Sequence, residues 1–186
     1  RLTTSAFPGD GATVGVGMPI KLHFNTDIPD DKRQNIVDHI AVDSSPAQPG
    51  GWIWFTADEA HYRPAKYWRS GTTVTVRAQL QGIDAGNDYW GLGNWTESFT
   101  IGDSHISYVD TATHEMQVYS NGALQWVWPV STGRPNLQTI NGTLVVWYKS
   151  QVVKMDSLGL GIPRNSPDGY FEDVYWDTAI SVDGFY

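Results

Sequence analysis

Residues 154–170 contain the side chains whose types and spacing are best suited to bind a ligand. The stretch reads Lys-Met-Asp-Ser-Leu-Gly-Leu-Gly-Ile-Pro-Arg-Asn-Ser-Pro-Asp-Gly-Tyr, and in it the alternation of apolar and polar residues stops. Three glycines and two prolines predict turns, whereas Met155, Arg164 and Tyr170 are left to face a partner. Long loops in compact domains are often functional, but a plain connection between two strands fits this composition equally well.

Other residues that could do chemistry carry weaker patterns. The five histidines are scattered singly, without the pair spacings that metal ligands use. Asp84, Asn87 and Asp88 lie in a glycine-rich segment, but their spacing does not match a calcium-binding loop. The chain has no cysteine, which excludes disulfides, thiolate metal sites and a cysteine nucleophile within these residues. The sequence therefore predicts neither a metal nor a cofactor.

Charge and hydropathy exclude two classes of partner. Twelve Lys and Arg oppose 20 Asp and Glu, so the formal net charge is −8 and no basic surface is available for nucleic acid. No apolar run approaches the roughly 18 residues that a membrane-spanning helix needs. We expect contact with a membrane only through an anchor outside these 186 residues.

The first part of the chain has the pattern of a β-sandwich. Two-residue alternation predicts strands at 20–24 and 74–80, and a helix with acidic residues at its start is predicted at 32–40. Further strands are predicted at 52–55 and 96–101. Short strands separated by turn residues are typical of a sandwich, which should end near Gly102-Asp103.

The second part of the chain is also mainly β. Strands are predicted at 105–109, 116–119, 124–130, 144–148 and 151–155. Asn121-Gly122 lies between two of them and predicts a tight hairpin, because both residues accept a positive φ.

Tryptophans occur in pairs at strand spacing, Trp52 with Trp54 and Trp126 with Trp128. The members of each pair therefore point to the same face of a sheet. A platform that stacks on sugar rings is one interpretation, and an aromatic core or an interdomain contact is the other.

Four stretches resemble the bacterial L,D-transpeptidases, which combine an Ig-like domain with a YkuD-like catalytic domain. They are the segment from His61 to Trp68, the junction Phe99-Thr100-Ile101-Gly102-Asp103, the tripeptide Met155-Asp156-Ser157, and Asn165-Ser166-Pro167-Asp168-Gly169-Tyr170. Met-Asp-Ser followed by Asn-Ser-Pro-Asp-Gly-Tyr is the most specific of the four. The resemblance implies an Ig-like β-sandwich at residues 1–102 and part of the catalytic domain at 103–186.

The resemblance also implies a site and partners. Tyr170 and Met155 would border the groove that receives the donor stem peptide, while Asp156 and Asn165 are further substrate-binding candidates that would shape the loop. Peptidoglycan stem peptides are the expected substrates, carbapenem β-lactams the expected inhibitors, and an exported, periplasmic or cell-wall-associated protein the expected setting.

The mechanism that the resemblance implies is acyl transfer through a Cys thioester. A His-activated Cys attacks the donor stem, D-Ala leaves, and an amine of a second stem forms a 3→3 cross-link. In the family this Cys belongs to a Ser-His-Gly-Cys motif, which these residues lack. We therefore expect the catalytic residues beyond Tyr186, an inactive chain when it is alone, and a second half that is not independently stable.

Two other functions stay open at this point. A non-catalytic Ig-like module could bind cell-wall glycan or protein through its Trp-rich strands, and binding of cell-wall material by residues 1–103 alone would distinguish it. In a third interpretation the first domain is only a spacer.

Overall fold

The computed structural model describes residues 1–133 and 138–180. They form two compact units, the first unit (Arg1–Gln138) and the second unit (Thr139–Tyr186). The boundary predicted at residues 102–103 falls inside the first unit and stays a prediction. Within the described ranges, no helix is long and apolar enough to cross a membrane.

The first hundred residues of the first unit form strands and one short helix. In chain order these are β1 (Thr4–Phe7), β2 (Thr13–Val14), β3 (Ile20–Phe24), α1 (Asp30–Asp38), β4 (Ile40–Ser45), β5 (Gly50–Trp54), β6 (Glu59–Pro64), β7 (Thr73–Gln79), β8 (Asp84–Gly86), β9 (Tyr89–Trp90) and β10 (Asn94–Ile101).

These strands build two four-stranded sheets and a small hairpin. One sheet has the order β1-β3-β6-β5 and is antiparallel throughout. The other has the order β2-β10-β7-β4, in which only the β2–β10 pair is parallel. The glycine-rich segment that holds Asp84, Asn87 and Asp88 contains the β8–β9 hairpin.

The alternating side chains of the two sheets meet in one core. Ile20, Leu22 and Phe24 of β3 are fully buried, whereas Lys21 and His23 between them are not. Val74 and Val76 of β7 bury the corresponding face of the second sheet and belong to the same cluster. The mainly β sandwich predicted from this alternation is confirmed, and it agrees with the Ig-like sandwich that the family resemblance implies.

The predicted helix is present, but it spans Asp30–Asp38 rather than 32–40, and Ile40 begins β4 instead. Asp30 and Asp31 lie in its first turn, where negative charge is favourable, and Ile36 and Val37 bury one side of it. It therefore covers the sandwich with a single apolar patch.

A three-stranded antiparallel sheet follows in the first unit. Its strands are β11 (His105–Asp110), β12 (Glu115–Ser120) and β13 (Ala123–Pro129), in this order. Asn121 and Gly122 join the last two with φ values of 48° and 81°, as the hairpin prediction requires.

The two tryptophan pairs have different surroundings. Trp52 and Trp54 are partly buried and pack against the sandwich core. Trp126 and Trp128 stack on each other with ring centroids 5.6 Å apart, and about half of each side chain is exposed among the described residues. The core interpretation therefore fits the first pair.

The second unit contains one long hairpin. Its strands are β14 (Tyr148–Asp156) and β15 (Phe171–Ala179), and a 3₁₀ helix (Ser157–Leu160) follows β14. The prediction of separate strands at 144–148 and 151–155 is wrong, because Lys149 and Ser150 continue the pairing opposite Thr178 and Asp177. The predicted loop is correspondingly shorter and comprises residues 157–170.

Candidate functional site

The loop between β14 and β15 begins with a capped helical turn. The Asp156 carboxylate accepts a hydrogen bond from the Leu158 backbone N–H at 3.0 Å, so it caps the 3₁₀ helix. Gly161, with a φ of 73°, ends this turn in the left-handed conformation that glycine favours. Asp156 and Gly161 therefore determine where the 3₁₀ helix after β14 begins and where it ends.

Ser157 joins three parts of the loop from the inside. Its side chain is fully buried, and its hydroxyl donates to the Ile162 carbonyl at 3.0 Å and accepts from the Tyr170 N–H at 3.1 Å. Its backbone N–H also donates to the Tyr170 carbonyl at 3.0 Å. The first and last residues of the loop are thus bonded to each other twice.

The second half of the loop is a compact turn that only glycine can complete. Ser166 donates hydrogen bonds from its N–H and its hydroxyl to the Pro163 carbonyl. A Cβ on Gly169 would lie 2.3 Å from the Pro163 oxygen and 2.4 Å from the Arg164 oxygen. The backbone therefore approaches itself at Gly169 more closely than any side chain allows.

An ion pair connects the tip of this loop to the end of β14. The Arg164 guanidinium donates from Nε and Nη2 to the two carboxylate oxygens of Asp156, the first at 2.9 Å. The bonds from Arg164, and then that from the Leu158 N–H, lower the pKa of Asp156 from 3.8 to about 2. The same pairing raises the pKa of Arg164. At neutral pH both groups are charged.

Two cationic side chains lie over the ring of Phe171 at the start of β15. The Arg164 guanidinium carbon lies 4.0 Å from the centre of its ring, and the Lys154 ammonium lies 4.9 Å from it. Lys154 also pairs with Asp173, its neighbour across the hairpin, at 3.0 Å. This face of the hairpin end is therefore occupied by charges that already have partners.

Three of the four predicted site residues, Met155, Asp156 and Tyr170, lie at the same end of the hairpin. Met155 lies opposite Glu172, and Tyr170 is bonded through its backbone to Ser157, two residues beyond Met155. Both side chains are half-buried, so each keeps a surface that a ligand can contact. Their predicted role in substrate binding stays a prediction.

Asp156 and Asn165, the other predicted site residues, differ from Met155 and Tyr170 in their surroundings. Asp156 uses its oxygens for the helix cap and for Arg164, which makes it a part of the loop's framework. Asn165 is exposed in the turn between Arg164 and Ser166. The predicted contact of these two residues with substrate stays a prediction.

Sequence reasoning missed the roles of Ser157, Arg164 and Phe171. Ser157 stands inside the Met-Asp-Ser stretch, but nothing in that stretch tells which groups its hydroxyl would reach. Opposite charges at Asp156 and Arg164, on either side of turn residues, are the one signal that could have suggested their pairing.

The loop contains neither a cysteine nor a histidine. The chain has no cysteine, and His114 is its last histidine, before the second unit begins. Among the residues described, no three His, Cys, Asp or Glu side chains are grouped as metal ligands would be.

Comparison with known families assigns both parts of the chain. Residues 1–84 match the bacterial Ig domain, and residues 104–180 match the L,D-transpeptidase catalytic domain, a match that includes the whole loop. The resemblance on the four sequence stretches is thereby confirmed.

Curated relatives match nearly the whole chain. L,D-transpeptidase 2 of Mycobacterium tuberculosis is 36% identical over 179 residues, which are 96% of this chain and 43% of that protein. L,D-transpeptidase 1 of the same species is 29% identical over 182 residues, 98% of this chain and 66% of that protein. The chain thus spans less than two thirds of the length of these L,D-transpeptidases.

Solved structures agree with the fold. The L,D-transpeptidase LdtMt1, solved in complex with imipenem, superposes with a TM-score of 0.78 at 28% identity, over 98% of this chain and 77% of that one. L,D-transpeptidase 3 from Mycobacterium tuberculosis, solved with a faropenem-derived adduct, gives 0.74 at 26% identity, over 98% and 78%.

Proposed function

We propose that this protein is a peptidoglycan L,D-transpeptidase that forms 3→3 cross-links between stem peptides. The observation that carries the proposal is the family match of residues 104–180, within which the loop 157–170 is a folded, internally bonded element. The catalytic Cys would come from residues outside these 186, which contain no cysteine, and we propose the same origin for the His that activates it. The chain alone is then inactive.

In this proposal the loop holds the donor stem beside the nucleophile. The Cys thiolate attacks the carbonyl that precedes the terminal D-Ala, D-Ala leaves with a proton, and the acyl group stays on sulfur as a thioester. A side-chain amine of a second stem then attacks the thioester and restores the thiol. Met155 and Tyr170 contribute by contacting the donor, which positions its carbonyl for attack.

The setting follows from this substrate. Stem peptides are accessible outside the cytoplasmic membrane, so we propose an exported, periplasmic or cell-wall-associated protein, with any membrane anchor outside these residues. We also propose carbapenem-class β-lactams as inhibitors that acylate the same Cys, and the relative solved in complex with imipenem supports this class of ligand.

The test is a transfer assay on the full-length protein with a purified tetrapeptide stem as donor. A cross-linked dimer, lighter than two stems by one D-Ala, is the expected product. Tyr170→Ala and Met155→Ala should each raise the donor KM, whereas Tyr175→Ala, a matched exposed tyrosine on β15, should not. Loss of a terminal D-Ala without dimer, or no reaction at all, would contradict the proposed transfer.

A further inference from the structure

Two sets of contacts hold the loop 157–170 in place, one buried and one exposed. Ser157 joins the loop's ends from within and is fully buried. Arg164 reaches from the tip of the loop to the hairpin, and about half of its side chain is exposed. The exposed contacts of Arg164 can therefore be removed without breaking the hydrogen bonds between Ser157 and Tyr170 at the base of the loop.

The partners of Arg164 lie directly outside those bonds. Asp156 and Phe171 are opposite each other and form the last pair between β14 and β15. Ser157 and Tyr170, the residues bonded at the loop's base, follow and precede them in the chain. Arg164 therefore lies next to the last residue pair of the hairpin and contacts both strands there.

The contact requires an arginine. The edge of the guanidinium meets the Asp156 carboxylate through two nitrogens, while its plane covers the Phe171 ring at 4.0 Å. A guanidinium offers a flat face and several donors at fixed angles, whereas a lysine ammonium is a single point of charge. Lysine would keep the charge and lose the bridge.

We propose that Arg164 is a positioning residue for Tyr170: it holds the turn 161–169 against Asp156 and Phe171 and thereby sets where the Tyr170 side chain meets the donor substrate. This inference rests on the proposed function. The role it assigns to Arg164 acts through Tyr170 and not through a contact of Arg164 with the donor. The competing explanation is an ordinary surface ion pair, and such pairs commonly have little effect when removed.

The test compares Arg164→Lys and Arg164→Gln with Phe171→Leu in the full-length protein. Arg77→Gln, which removes an exposed Arg–Asp pair in the first unit, is the matched control. Amide hydrogen exchange of residues 161–170 and the kinetics with a tetrapeptide donor are measured for each variant, and thermal unfolding shows that each is folded.

Both Arg164 variants and Phe171→Leu should speed exchange at residues 161–169 and raise the donor KM about tenfold, with kcat nearly unchanged. Arg77→Gln should match the wild type in both measurements. Wild-type exchange and KM in Arg164→Lys would overturn the inference, because charge alone would then suffice. A wild-type protein that transfers nothing refutes the proposed function instead, and the exchange rates still decide whether Arg164 holds the turn.

Discussion

At the residue scale, the loop depends on groups that can be tested one at a time. The Asp156 carboxylate has three donors around it, one from the Leu158 N–H and two from Arg164. Gly169 lies where two carbonyl oxygens leave no room for a side chain. The Asp156 contacts can therefore be tested by a change in pH, and the site of Gly169 by an added side chain.

The Asp156 pairing should survive mild acid. Because its pKa is lowered from 3.8 to about 2, its contribution to the folded loop is complete above pH 4 and is lost as pH falls through about 2. The carboxyl carbon shift of Asp156, followed by NMR, should titrate with a midpoint well below 3.8, together with the Arg164 Nε–H signal. In Asp156→Asn the pH response of the Arg164 signal should disappear. A midpoint at or above 3.8 would show that the ion pair is absent in solution.

Gly169→Ala should disrupt the turn. The added methyl meets backbone oxygens, which cannot move aside as a flexible side chain can, so we expect a loss of about 1–3 kcal/mol in the stability of the hairpin end. The control is Gly159→Ala, since a Cβ there meets nothing within 4 Å. Hydrogen exchange of the loop amides measures both, and equal exchange in the two variants would contradict the close approach.

At the scale of elements, Ser157 links the hairpin β14–β15 to its loop, because its hydroxyl bonds to both Ile162 and Tyr170. Ser157→Ala leaves the Tyr170 N–H and the Ile162 carbonyl without their buried partner. The expected cost to closure of the loop is about 1–3 kcal/mol, read from hydrogen exchange at Tyr170.

Ser150→Ala is the control within the same hairpin, because that hydroxyl makes only a local bond to the Val152 carbonyl among the bonds described. It should change exchange by less than about 0.5 kcal/mol. An unchanged Tyr170 amide in Ser157→Ala would mean that water replaces the hydroxyl.

How far sequence predicts an element depends on whether one of its faces is buried. β3 and β7 alternate because their apolar residues enter a core, and both were predictable. β14 exposes an apolar and a charged residue on the same face, Val152 and Lys154, so its pattern does not report its pairing with β15. The helix at 30–38 was predictable from its acidic start and its apolar pair.

The candidate site follows the same rule. The position of the loop and its turn residues could be read from glycine and proline, and Met155 and Tyr170 from the family resemblance. The bridge from Arg164 to Asp156 and Phe171 could not, since it depends on how the turn at Pro163–Gly169 folds back. Such a contact is set by three-dimensional closure of a loop, which no local pattern encodes.

At the scale of the whole molecule, the buried core belongs to the sandwich. Every residue of the core cluster lies between Leu2 and Ile101. In the described part of the second unit, the buried residues are Ser157, Asp177 and Ala179. Stability should therefore be dominated by the first hundred residues.

Phe99→Ala tests this distribution. Phe99 is 2% exposed, and its truncation should cost about 3–5 kcal/mol in the main unfolding transition followed by denaturant. Phe55→Ala removes the same side chain from a site that is 63% exposed, where it stacks on His61, and should cost less than about 1.5 kcal/mol. Equal costs would mean that the sandwich core is not what unfolds.

The assignment of this chain to a transpeptidase is tested most directly by intact-mass spectrometry after incubation with a carbapenem. The full-length protein should gain the mass of one carbapenem, bound to a cysteine outside the 186 residues, and the 186 residues alone should gain none. An adduct on the 186 residues alone, or a full-length protein that remains unmodified, would contradict the account.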